Sequence, residues 1–135
     1  MALQYSTTVR NAELDALETA IGTSPLLKIR SGSAPANCAT ADSGTVLATM
    51  TLPSDWLAAA SSGSKAKSGT WQDSSADATG TAAHFRIYDS TGTTCHLQGT
   101  VTATGGGGDL TLDNTSIASG QSITINTFSI SAANA

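Results

Sequence analysis

The sequence predicts a mainly β protein: an antiparallel β-sandwich, or a jelly-roll-like partly open barrel, with one short N-terminal helix. Three observations predict it. About seven short runs alternate apolar and polar residues, each bounded by Gly, Pro, Ser, Asn or Asp. Ala, Ser, Thr and Gly make up more than half of the 135 residues, while 12% are charged and 4% aromatic. Small and β-branched side chains at that density suit closely packed sheets. Finally, one stretch near the N-terminus carries the three- and four-residue apolar spacing of a helix. A chain of this length suits one domain and can bury roughly two-thirds of its unfolded surface. The expected organisation is an arm and helix over 1–22 and a single β-sandwich domain over 23–135.

Residues 1–8 read as an extended arm, with Leu3 and Tyr5 at alternate positions. Ser6 or Thr7 is placed to cap a helix by accepting a backbone N–H bond. Val9, Ala12 or Glu13, Ala16, Leu17, Ala20 and Ile21 form its expected apolar stripe, with Glu13, Asp15 and Glu18 mostly off it. Gly22 ends it, as a residue that takes positive φ readily. A short strand then puts Leu27 and Ile29 on one face. Ser31–Gly44 is a Gly-, Ser- and Pro-containing loop. Thr45–Leu52 is a strand stopped by Pro53. Ser54–Ser64 fits either one capped helical turn or an irregular crossing pinned by Trp56. Lys65–Trp71 is read as a third strand and Gln72–Thr81 as a turn-rich linker.

His84–Val101 (HFRIYDSTGTTCHLQGTV) is the clearest hairpin. Phe85 and Ile87 point one way, and His84, Arg86 and Tyr88 the other. A turn centred on Thr91–Gly92 with unbroken pairing would set apolar residues opposite polar ones. A one-residue bulge, aligning Phe85 and Ile87 with Leu97 and Cys95, is predicted instead. Gly105–Gly108 read as a flexible tip or hinge. Asp109–Asp113 is a strand with Leu110 and Leu112 inward, and Ile117 tucks under the following turn. Gln121–Ser131 is a strand whose apolar phase flips at Asn126–Thr127, which predicts a bulge or bend there.

The net charge of −4 and a pI near 4.7 argue against a nucleic-acid partner, since phosphate binding needs a clustered basic face. No apolar run approaches the ~20 residues of a bilayer span. No basic flank precedes an apolar stretch at the N-terminus, so no secretion signal is read there and synthesis in a cytoplasm is expected. Cys38 and Cys95 lie in no CxxC or Cys/His cluster and are expected as free, mostly buried thiols, with a disulfide between them as the alternative.

Candidate chemistry is sparse. His84 and His96 sit out of register on the hairpin, so with Cys38 and Cys95 they make no expected zinc set. The GGGGD run is followed by a strand and has no nearby Lys, unlike a phosphate loop. Asp73, Asp77, Asp109 and Asp113 lack calcium-loop spacing. There is no GxSxG or SxxK element. The expectation is a non-enzyme with no cofactor and no metal. Trp56 and Trp71 read as loop anchors, with a subunit or partner contact as the sharper alternative for either.

Five segments carry a resemblance over nearly the whole chain: LQYSTTVRNAELDALETAIG, LLKIRSGSAPANC, TVLATMTLPSDW, SADATGTAAHFRIYDSTGTT and LTLDNTSIASGQSITINTFSISAANA. In these the chain resembles small proteins encoded among the head and tail genes of tailed bacteriophages. That resemblance implies a virion structural protein, made in the host cytoplasm and located in the particle. It implies a capsid cement (decoration) protein that binds the major capsid protein, or alternatively a tail-fibre or tail-tip component with a receptor- or glycan-binding role. Such a protein is expected to associate with itself as a dimer or trimer. The expected subunit and partner contacts are Leu3, Tyr5, Val9, Leu17, Ile21 and Trp56.

Overall fold

The computed structural model describes residues 3–132. Helix α1 (Thr7–Ile21) precedes eleven short strands among these residues: β1 (Leu26–Arg30), β2 (Val46–Thr51), β3 (Ser64–Ala66), β4 (Trp71–Asp73), β5 (Gly80–Thr81), β6 (His84–Tyr88), β7 (Cys95–Ala103), β8 (Leu110–Leu112), β9 (Ser116–Ile117), β10 (Ile123–Ile125) and β11 (Ser129–Ser131). Five of them form a curled sheet in the order β2-β1-β6-β7-β8, a half-barrel. Pairs β10–β4, β11–β3 and β5–β9 form small ribbons. The β4–β10 ribbon lies between the two edges of the half-barrel and touches both β2 and β8. An Asp73 carboxylate oxygen accepts from the Thr49 amide at 2.9 Å, tying this ribbon to β2.

The inner face of the half-barrel is apolar. Leu27, Ile29, Met50, Phe85, Ile87 and Val101 are buried there, and Trp56, Trp71 and Phe128 fill the bowl from the other side. Their rings form a chain. Trp56 and Trp71 lie 6.0 Å apart between centroids, Trp71 and Phe128 5.3 Å, and Phe128 meets Phe85 edge-on at 5.8 Å. Tilted and edge-to-face contacts of this kind add to what area burial alone gives.

Several local expectations change under this packing. The hairpin is bulged between Ile87 and Tyr88, but Ile87 pairs with Leu97 and Phe85 with Gly99. Gly99 is where the Phe85 ring needs room: a Cβ there would lie 2.8 Å from Phe85 Cε1. The expected strand over Lys65–Trp71 is two strands, β3 and β4, because the chain must turn Trp71 into the core. The Lys67 amide donates to the Phe128 carbonyl and that of Ser68 to the Trp56 carbonyl at this break. Gln72–Thr81 is not purely linker, since it contributes the end of β4 and all of β5. Ser54–Ser64 is the irregular crossing, pinned by the buried Trp56, whose Nε1 donates to the Gly22 carbonyl at 3.0 Å. The phase flip in 121–131 is a full break: β10 pairs with β4 and β11 with β3.

The four glycines do more than make a flexible tip. β8 runs parallel to β7, with Val101 opposite Leu110 and Ala103 opposite Leu112. Parallel neighbours ordinarily need a crossover of about a dozen residues, yet here six residues (104–109) suffice. Gly105 and Gly107 take φ of 87° and 82°. A Cβ on Gly106 or Gly108 would lie 2.8 Å from Thr102 side-chain atoms. Two of the glycines supply the reversal and two the close approach.

Candidate functional site

Two places gather polar or exposed chemistry: the N-terminal end, and the outer face of the sheet beneath the Ser31–Gly44 loop.

At the N-terminal end, Ser6 is the helix cap, its Oγ accepting from the Val9 amide at 3.3 Å. The helix turns a different face inward than its apolar stripe suggests. Leu14 and Ile21 are buried and Leu17 is half-buried, while Val9, Ala12, Ala16 and Ala20 face solvent. The reason is Lys65 on β3, which is 2% exposed. Its ammonium lies 2.6 Å from an Asp15 carboxylate oxygen and 2.8 Å from one of Glu18. A buried ammonium needs paired charge, so Asp15 and Glu18 turn toward the body. Burial works against the Lys65 charge, but hydrogen bonds to the two carboxylates outweigh it and hold its pKa above 10.5. Arg10 Nε donates to the Ala132 carbonyl at 2.8 Å, and the Gly63 amide to Asn11 Oδ1 at 2.8 Å. The helix is thereby fixed on the β3–β11 ribbon with its alanine face outward.

Of the six residues expected at a subunit or partner interface, three are on the surface: Leu3 is 76%, Tyr5 45% and Val9 45% exposed. These are the large exposed hydrophobic residues among those described. Ile21, Leu17 and Trp56 instead serve the body. Ile21 and Trp56 are buried in the core cluster and Leu17 packs against it, so the tryptophan is a loop anchor.

The outer face of the sheet is a second centre that sequence alternation missed. His84, Arg86 and Tyr88 look like a solvent face, yet each is 2% exposed or less, and neighbouring Arg30 is 6% exposed. The Ser31–Gly44 loop covers them. Asp42 is the hub. One carboxylate oxygen accepts from Arg86 Nη1 at 2.5 Å and from the Tyr88 hydroxyl at 2.6 Å, the other from Arg30 Nη2 at 2.9 Å. Arg86 Nη2 also donates to the Asn37 and Thr40 carbonyls at 2.8 and 3.0 Å. Gln98 accepts from Arg86 Nε and donates to the Pro35 carbonyl at 2.7 Å. Partial burial pushes the Asp42 pKa up, but Tyr88, Arg86 and Arg30 outweigh it and hold the carboxyl below 3.8. His84 Nδ1 lies 2.7 Å from the Gly32 carbonyl. A carbonyl only accepts, so the proton is on Nδ1.

The arrangement clamps a loop to a sheet with charge-assisted bonds. Every Arg86 nitrogen is used by the clamp itself. His84 and His96 do not meet: His84 is buried under the loop and His96 is the exposed residue of the bulge. Among the described residues no group of three or more His, Cys, Asp and Glu is placed to hold a metal ion. A surface cleft of about 510 Å³ lies between the C-terminal end of α1 and the 53–55 turn, lined by Glu18, Thr19, Gly22, Thr23, Ser54 and Asp55. No helix among the described residues is long and apolar enough to cross a membrane. No family model, curated protein or solved structure matches the chain.

Proposed function

We propose that this chain is a non-enzymatic structural protein of a tailed-bacteriophage particle, a cement protein that associates with itself and binds the major capsid protein through its N-terminal end. The single observation that carries the reading is the exposed apolar surface formed by Leu3 and Tyr5 on the arm and Val9 in the first helical turn, next to the outward alanine face of α1. Large apolar side chains grouped on an otherwise polar, acidic surface mark a protein–protein contact. The resemblance of the five segments to phage head and tail proteins supplies the kind of partner. The helix is held on the body by Lys65 and Arg10, which sets where the arm leaves it.

The test is the location and copy number of the protein in purified particles of the phage that encodes it. A copy number on the scale of the major shell protein, with density on the head, supports the cement role. Detection at the tail end alone contradicts it and favours the tail-fibre reading. Binding of the isolated protein to host envelope sugars separates that alternative further.

A further inference from the structure

We propose that Cys38 and Cys95 form a reversible disulfide that staples the Ser31–Gly44 loop to the β6–β7 hairpin. Both side chains line one cleft of about 240 Å³, together with Asp42, Arg86, Tyr88 and Thr93. Both are half-buried free thiols, open enough for a small oxidant to reach. Their facing positions are set by groups other than the sulfurs. Arg86 grips the carbonyls of Asn37 and Thr40, on either side of Cys38, at 2.8 and 3.0 Å. Cys95 is paired across the strands with Tyr88, whose hydroxyl reaches back to Asp42 on the same loop at 2.6 Å. Cys95 Sγ donates to the Leu97 carbonyl at 3.5 Å, and the Cys38 thiol is close enough to help raise the Cys95 pKa. The clamp thus holds both thiols at one cleft, on the two segments that a disulfide would join.

The oxidant is a small-molecule disulfide of the glutathione type. One of the two cysteines, as its thiolate, attacks the small disulfide, forming a mixed disulfide and expelling one small thiolate. The other then gives up its proton, attacks the protein sulfur of that mixed disulfide and expels the second small thiolate. Two protein thiols become one disulfide, and one small disulfide becomes two thiols. In a reducing cytoplasm the staple is open. Outside the cell it closes, locking the loop over the Asp42 hub. The staple belongs to the β body and is independent of the assembly role of the arm.

The experiment equilibrates the full chain in reduced-to-oxidised glutathione buffers, followed by non-reducing peptide mapping and thermal melts. The expected product has lost two hydrogens, holds a single 38–95 cross-linked peptide and retains no glutathione. Because the link encloses a long loop, its melting midpoint rises by roughly 10 °C and falls back on adding a dithiol reductant. The Cys38→Ser variant shows no such rise. Glutathione adducts on separate cysteines, intermolecular dimers in place of the 38–95 peptide, or a cross-linked form that melts no higher than the reduced one would each overturn the proposal.

Discussion

Along β6 the two faces of the five-stranded sheet are both buried, by opposite chemistry. On the inner face, Phe85 and Ile87 meet the Trp56–Trp71–Phe128 ring chain, and burial of apolar area stabilises the contact whatever the pH. On the outer face, one residue away along the same strand, Arg86 and Tyr88 are sealed by a loop through one carboxylate, that of Asp42. An apolar contact loses in proportion to the volume removed. A charged hub loses through the groups it leaves unpaired. The inner face therefore sets whether the body folds, and the outer face sets whether one loop stays closed.

Substitutions on the two faces sharpen that contrast, from the largest expected effect downward. Trp71→Ala empties the middle of the ring chain and is expected to cost about 3–5 kcal/mol in denaturant melts, with the whole transition shifting as one. Asp42→Asn strips charge from a hub whose side chain is 39% exposed, so the expected cost is about 2 kcal/mol, below that of a fully buried pair. Amide exchange should then speed up in 32–44 while β1 and the β6–β7 core stay protected. Uniform loss of protection across the sheet would contradict the division between faces.

The pH dependence separates the faces again. The Asp42 pKa is depressed in the folded state, so its contribution is fully present above the unfolded value near 3.8 and is lost as pH falls through the lower folded value. The wild type is expected to lose stability on acidification below pH 4 more steeply than Asp42→Asn, with equal slopes near neutrality. Urea midpoints across that range check this. A smaller effect is expected at the parallel return: Gly108→Ala, whose Cβ meets Thr102, costs about 1–2 kcal/mol by overpacking.

The inner face was legible in the sequence because it is written locally. Alternation gave β1, β2, β6, β7 and β8, and the phase flip at Asn126–Thr127 gave the break between β10 and β11. The outer face was not legible. Alternating His84, Arg86 and Tyr88 are what a solvated strand face looks like, and their partners, Gly32 for His84 and Asp42 for Arg86 and Tyr88, lie more than forty positions away in a loop without pattern. The helix stripe was misphased for a similar reason. Val9 and the alanines give only a weak bias, whereas the long-range pairing of Lys65 with Asp15 and Glu18 decides which face turns inward. The parallel return through Gly105–Gly108 contradicts the usual length of a crossover, and only the close approach to Thr102 shows why four glycines are used. For the candidate interface, Leu3, Tyr5 and Val9 could be picked from sequence as apolar residues outside the β body. The core placement of Leu17, Ile21 and Trp56 depended on the ribbon and crossing that they pack against.

In the proposed reading the body folds on its own and assembly resides in the arm. This is tested most directly on a chain of residues 6–135, which keeps the Ser6 cap and removes Leu3 and Tyr5. Its thermal midpoint and its sedimentation should be compared with those of the full chain, with and without shells of the major capsid protein. The account predicts a midpoint within a few degrees of the full chain, with self-association and shell binding lost. A truncated chain that unfolds, or one that still associates and binds shells as the full chain does, would contradict it.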